Sequence, residues 1–514
     1  MSVFIDALSA WFLPVALFVP LGLGALLLSC GRRLPVALAR GVALAGFVAP
    51  PGVAGVMFFG FAGAMDAGTG YAFEVALPLG VEAWGMLLTL GVNGISLPLF
   101  ALAAVVGAAA GVQAVCLCEV ERAEVFWGLL LVMLGGMLGM FASVDVFFMY
   151  FFHEFALVPT FILMLVWGGV GRRTAAIQMA VFLTLGAMVA LAGIVLVFLA
   201  AGGTSFNLLA LRAALVPGGV GAQAGVIGGL LLFGFGALVS LFPMHSWAAP
   251  AYTEAPTAVS MLHAGVLKKF GLYGLVQLGV GVVPAGVVEW GGVLFWLAVG
   301  NVVVLGLVTM SQRHLKELIG WSSVMHMGLC FLGIAAFALG GGRDVSGVGA
   351  AVMLMFGHGL SVAALFALSH GVYARTGTLE FASLGGLAGR APVLAGFFVA
   401  AMLAGMGLPG FANFWGELGV FVALGALPVW KLALAVCGIV ISAIYGLRAV
   451  AWVCLGREPV ALAERFARGG AGLSRDMVLG ERFVAGLLLG VSLLVGFCPW
   501  LLGDMIHGAL ARLF

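Results

Sequence analysis

The chain has 514 residues, of which 64% are apolar and 8% charged, with a mean hydropathy of +1.23. Soluble domains are about 25% charged, so a water-soluble globule, a disordered chain and a disulfide scaffold are all excluded. A net charge of +2 without a basic stripe excludes a nucleic-acid partner. What remains is an all-α, polytopic membrane protein, its length spent on helices of ~20 residues, with 80 glycines suited to close helix packing.

In chain order, apolar runs place spans near 4–28, 36–62, 86–116, 125–142, 145–168, 175–200, 223–250, 255–279, 288–310, 316–340, 346–374, 391–426, 431–454 and 480–503, about fourteen in all. The first run has no basic flank and is too long for the apolar region of a signal peptide, so it reads as a retained span. The basic residues test this count. With the N-terminus outside, cytoplasmic loops hold sixteen, among them Arg32, Arg33, Arg172, Arg173, Lys316, Arg375 and Arg390, while outer loops hold Arg212, Arg343, Lys431 and Arg512. That asymmetry is what the positive-inside rule expects, and it leaves both termini outside. The first long outer loop, near 63–85, carries acids only. Segment 455–480 reads as an amphipathic cytoplasmic linker. The seven cysteines have no metal-ligand spacing and behave as small apolar residues, so no metal is expected in this chain.

A charge in hydrocarbon costs ~2.5–3.5 kcal/mol on insertion scales, so each ionisable residue inside a span needs a reason. Glu154 lies near the middle of a span, with His153 beside it and Pro159 a little later. A carboxylate facing a wet cavity and a basic partner exchanges protons, whereas one that is merely hydrogen-bonded between helices does not. In 240–274, Pro243, Pro250 and Pro256 cannot share one continuous helix. The stretch therefore unwinds or turns, which at membrane depth requires surrounding protein or water. It gathers His245, Glu254, His263, Lys268 and Lys269. Lys268 either snorkels to the interface or acts within the membrane. Pro409–Gly410 breaks the 391–426 run, and Glu417 follows within about two turns, the pattern of an ion-handling site. His326, His358 and His370, with Lys316 nearby, form a series able to pass protons through bound water. The two helix breaks, about 160 residues apart, suggest two inverted five-helix repeats, 125–280 and 288–455, each with a broken helix. Residues 1–124 then supply three N-terminal helices, and 456–514 the linker and a last helix.

The stretch PMHSWAAPAYTEAPTAVSMLHAGVLKKFGLYG resembles the signature of the antiporter-like subunits of respiratory complex I. FFHEFALVPT, HLKELIGWSSVMHMG, HGLSVAALFALSHGVY and LPGFANFWGE are similar to that family's fifth, tenth, eleventh and broken twelfth helices, in the right order. Within the family, the acid at Glu417 is similar to subunit M (chain 4). The resemblance implies a proton-translocating subunit of NADH–quinone oxidoreductase in a bacterial cytoplasmic membrane. Glu154 would be the coupling acid, Lys269 the central base and Glu417 the terminal site. His326 and His358 would lie between them, Lys316 would sit on the cytoplasmic side, and His153, His245, Glu254, Lys268 and His370 would be auxiliary. Its partners would be other membrane-arm subunits, including sister antiporter-like subunits, and the lipid bilayer. NADH, FMN, iron–sulfur clusters and quinone would belong to partner subunits.

Two positions depart from the family. The lysine expected a few residues before PMHSW is Leu238 here, and no Lys or Arg occurs between Arg212 and Lys268. Either His153 or His245 replaces it as the partner of Glu154, or the first half is uncoupled. Asn93 stands where an aspartate is usual, with only a peripheral contact at stake. Two rivals share these helices: a subunit of a multisubunit cation/proton antiporter or membrane-bound hydrogenase, and a non-pumping structural subunit.

Overall fold

The computed structural model describes residues 10–215, 219–468 and 476–513. Positions 4–9 of the first expected span and part of the expected linker, Arg475 included, lie outside the described residues.

Helices α1 (Phe12–Cys30) and α2 (Val36–Ala64) lead into an antiparallel hairpin of β1 (Ala72–Leu77) and β2 (Leu88–Val92), with Leu77 paired to Leu88 and Val75 to Leu90. This corrects the expected span 86–116: its first residues are strand. Helix α3 (Ser96–Val112) begins where Asn93 caps it, its Oδ1 accepting from the amides of Ile95 (3.0 Å) and Ser96 (2.9 Å).

Next come α4 (Ala123–Ala142), α5 (Val146–Trp167), α6 (Arg172–Ala200), the short α7 (Leu208–Leu215) and α8 (Ala224–Val239). Beyond the first break, α9 (Ala248–Glu254) joins α10 (Thr257–Leu262) through extended Ala255 and Pro256, and α10 joins α11 (Lys269–Gly274) through a π-helical turn, His263–Leu267. Then follow α12 (Pro284–Glu289), α13 (Gly291–Val299), α14 (Gly306–Ser311), α15 (Leu315–Leu339) and α16 (Ser346–Thr376). The C-terminal part holds α17 (Leu387–Arg390), α18 (Pro392–Gly405), α19 (Ala412–Gly425), α20 (Val429–Cys454), α21 (Val460–Arg468), α22 (Leu479–Phe497) and α23 (Trp500–Ala511).

Among the described residues, twelve helices are long and apolar enough to cross a membrane. The expected spans 255–279 and 391–426 are not among them, because both are interrupted. In hydrocarbon a backbone that leaves the helical ladder must find other partners, and the breaks that follow α8 and α18 do so. At the first, Asn301 takes the freed groups: its Oδ1 accepts from the Phe242 amide (2.6 Å), while its Nδ2 donates to the carbonyls of Ser240 and Val324 (3.0 Å each). Of the three prolines there, Pro250 falls in the first turn of α9, where its missing amide has no helical partner to lose. At the second break, Ser492 of α22 accepts from the Ala412 amide at 3.3 Å, and the Trp415 indole donates to the Gly496 carbonyl at 2.7 Å.

Helices α15 and α16 form the centre and are buried along almost their whole length. They cross where Gly333 meets Gly347, so closely that a Cβ on either would strike the other's carbonyl.

Candidate functional site

The central pair α15 and α16 carries His326 and His358 near mid-helix, and both rings are buried. The rings stack with centroids 5.2 Å apart and planes 21° from parallel. His326 Nδ1 lies 2.7 Å from the Ser322 carbonyl. A carbonyl only accepts, so Nδ1 carries the hydrogen and Nε2 of the neutral ring presents a lone pair. That Nε2 faces Glu417 Oε1 of α19 at 3.8 Å, and both atoms are buried without a hydrogen-bond partner. A cavity of about 10 Å³ beside Ser322, His326, His358 and Tyr445 is at the lower bound for one water.

In the other direction, His358 Nε2 lies 3.0 Å from Ser323 Oγ, and Lys268 Nζ donates to the same hydroxyl at 3.5 Å. The result is a line of side chains from Lys268 through Ser323, His358 and His326 to Glu417. Of the two lysines it is Lys268, expected only as auxiliary, that reaches the line. Its ammonium also sits 5.4 Å over the Tyr252 ring. Lys269, equally buried, donates to the Ala264 carbonyl at 2.5 Å. The π-turn His263–Leu267 sets this arrangement, because its Lys268 amide bonds the His263 carbonyl five residues back.

Glu154 sits apart from this line, between the buried and exposed faces of α5. Its side chain is 33% exposed, against 3% for His153, so the core does not enclose it. His153 Nδ1 meets Glu154 Oε1 at 3.1 Å, and the imidazole stacks on Phe270, the residue after Lys269, with centroids 4.2 Å apart. Leu238 is buried against Gly186. His245 stacks on Phe242 and tilts toward Trp321, with its Nδ1 unpartnered. Of the two candidate substitutes for the missing lysine, His153 therefore contacts Glu154, while His245 packs at the first break.

On the side holding Arg172, Lys316 and Arg375, a cavity of about 490 Å³ gathers Glu254, His314, Lys316 and His370. Lys316 Nζ donates to the Ala255 carbonyl at 2.6 Å, and Glu254 Oε2 accepts from the Gly171 amide at 2.8 Å. His370 Nε2 is 3.9 Å from Cys118 Sγ. Sequence reasoning missed Ser323 and Asn301. Their only signal was a polar residue inside an apolar helix, which a bond to the helix's own carbonyls equally explains.

Fold and site together define a class: a polytopic helical membrane protein with interrupted spans and a buried line of Lys, Ser, His and Glu side chains. The family model described as NADH:quinone oxidoreductase/Mrp antiporter, TM, matches residues 143–442, and the chain belongs to that family. It is 33% identical over 425 residues to NAD(P)H-quinone oxidoreductase chain 4 1 of Picosynechococcus sp., covering 81% of this chain and 76% of that one. It is 34% identical over 422 residues to the corresponding chain of a Synechococcus sp., covering 81% and 77%. Among solved structures, a chain of respiratory complex I from Thermus thermophilus matches with a TM-score of 0.81 and 26% identity, covering 98% of this chain and 100% of that one. A chain of the Mrp complex from Dietzia sp. shares the fold, with a TM-score of 0.80 at 20% identity over 98% and 97% of the two chains.

Proposed function

We propose that this chain is a chain-4-type membrane-arm subunit of an NADH–quinone oxidoreductase in a bacterial cytoplasmic membrane. It translocates protons, driven by redox chemistry in partner subunits that carry the NADH, FMN, iron–sulfur and quinone sites. The observation that carries this reading is the row of buried side chains from Lys268 to Glu417, hydrogen-bonded from Lys268 through Ser323 to His358 and continued by the stacked His326 ring to Glu417 at 3.8 Å. The chain-4 relatives favour it over a stand-alone antiporter subunit.

Protons enter from the cytoplasmic cavity lined by Glu254, Lys316 and His370. They are held at the Lys268–Lys269 pair, pass through the Ser323 hydroxyl and the two imidazoles, and reach Glu417, which releases them outward. Glu154, half-exposed beside His153, faces the surface where a sister subunit would pack, and receives its signal from there. Moving one charge against 100 mV costs about 2.3 kcal/mol, while a two-unit change in proton affinity is worth about 2.7 kcal/mol. One charge placed near the lysines therefore suffices for the step. The two breaks mark the two halves, 125–280 and 288–455, each serving one side of the membrane.

The test is the proton-to-electron ratio of the reconstituted complex. Lys269→Ala and Glu417→Gln should lower it while NADH oxidation by released peripheral arms persists. An unchanged ratio in both variants would point to a non-pumping packing subunit. Copurification without any quinone reductase, together with sodium-dependent growth at high pH, would point to an antiporter subunit.

A further inference from the structure

Bases are scarce on the outer side of this chain, yet two of the four line one cavity. Arg212 of α7 and Arg512, just past α23, converge with Gly68, Thr69, Tyr71 and Asn93 around a space of about 350 Å³. Arg212 Nη2 donates to Gln277 Oε1 at 2.8 Å and to the Gln277 carbonyl at 3.5 Å. Arg212 Nε and Gln277 Nε2 are both buried without an acceptor. Among the described residues no carboxylate lies within ion-pair distance of Arg212. The nearest acid to Arg512 is already engaged. Asp66 Oδ1 accepts from the amides of Gly68 (2.9 Å) and Thr69 (2.7 Å), and Arg512 Nη1 reaches only the Asp66 carbonyl, at 3.4 Å.

A buried donor without an acceptor is costly, and Arg212 Nε is such a donor within a guanidinium that lines the cavity, with the second, Gln277 Nε2, on the side chain that Arg212 Nη2 bonds. We propose that the Arg212–Arg512 cavity is an oxyanion site that takes a phosphate group, held by the Arg212 guanidinium with Gln277 behind it and Arg512 at the rim. A guanidinium fork matches phosphate oxygens in geometry and charge. The charge asymmetry of the loops puts this cavity on the outer side, so the phosphate comes either from a phospholipid headgroup or from solution. The site is independent of the proton line and stands whether or not the chain pumps.

The test uses the intact complex, stripped of loosely held lipid by detergent exchange, with two probes: dioleoyl-phosphatidylglycerol, read by native mass spectrometry, and inorganic phosphate, read by the saturable rise in unfolding temperature. Saturable binding of either probe, weakened at least about tenfold in Arg212→Gln and unaltered in Lys431→Gln, supports the site. The probe that binds identifies the source. If Arg212→Gln does not assemble, Arg512→Gln carries the test, because that side chain is exposed at the rim; a several-fold loss supports the site. No saturable binding of either probe, or equal affinity in the arginine variants, overturns it.

Discussion

Gly407 and Glu417 are in contact across the second break: a Cβ on Gly407, whose φ is +73°, would collide with the Glu417 carboxylate. The break therefore does more than end α18, since its turn leaves the space the carboxylate occupies. Gly407→Ala should displace Glu417 from His326 and slow proton translocation at least about tenfold, the equivalent of 1.4 kcal/mol in barrier. The left-handed backbone adds a stability cost of about 1–2 kcal/mol. Gly425→Ala, at a site open to space, should leave both unchanged. Proton flux and thermal stability of the two variants, measured in parallel, check this.

Among the described residues, Ser323 alone hydrogen-bonds both Lys268 and His358 through its side chain. Ser323→Ala removes the hydroxyl with little change in volume and should cut proton translocation by about tenfold or more, while Ser323→Thr should restore most of it. Lys268→Met should match Ser323→Ala, and the double variant should be no worse than either single one. Additive losses would mean that the proton bypasses the hydroxyl.

Arg375 and Glu481 form a two-pronged pair between the end of α16 and the start of α22, at 2.9 and 2.7 Å. Both side chains are largely buried. Removing one partner of such a pair costs about 3–5 kcal/mol. Arg375→Ala should therefore loosen α22, and with it the Ser492 and Gly496 contacts at the second break. Limited proteolysis between α21 and α22 should be faster than in wild type.

Asp476, in the polar segment before α22, caps the N-terminus of α18: its oxygens accept from the amides of Val393 (2.7 Å) and Leu394 (3.0 Å). Partial burial alone would raise its proton affinity, but the amides of Val393, Met477 and Leu394 outweigh it and hold the carboxyl below its ordinary 3.8. A lowered folded value contributes stability above the unfolded value that is lost as pH falls through the folded one. At neutral pH Asp476→Ala should cost about 0.5–2 kcal/mol, as cap removals do. The gap between variant and wild type should shrink below pH 3.8, as read by unfolding at a series of pH values.

The sequence shows the long spans because apolar runs end at charges, and it shows both breaks because Pro243 and Pro409–Gly410 cannot stay in a helix. It conceals the hairpin: AFEVAL and LTLGV are short apolar runs, and such runs do not distinguish strand from helix. His326, His358 and Glu417 are legible as ionisable residues in apolar helices, and the fold brings them together. Which face each presents is not legible. Glu154 lies half outside the core because α5 turns Phe151, Phe155 and Val158 outward beside it. That Lys268 rather than Lys269 reaches Ser323 depends on the π-turn, which shifts the helical phase by a step that no residue pattern announces.

Asn301 holds the Ser240 and Phe242 backbone with one hand and the Val324 carbonyl, two residues before His326, with the other. Any rewinding of the first break must therefore tug on the helix that carries the imidazole facing Glu417. Through one amide side chain the first break and the helix carrying His326 share a mechanical linkage that needs no charge to cross between them.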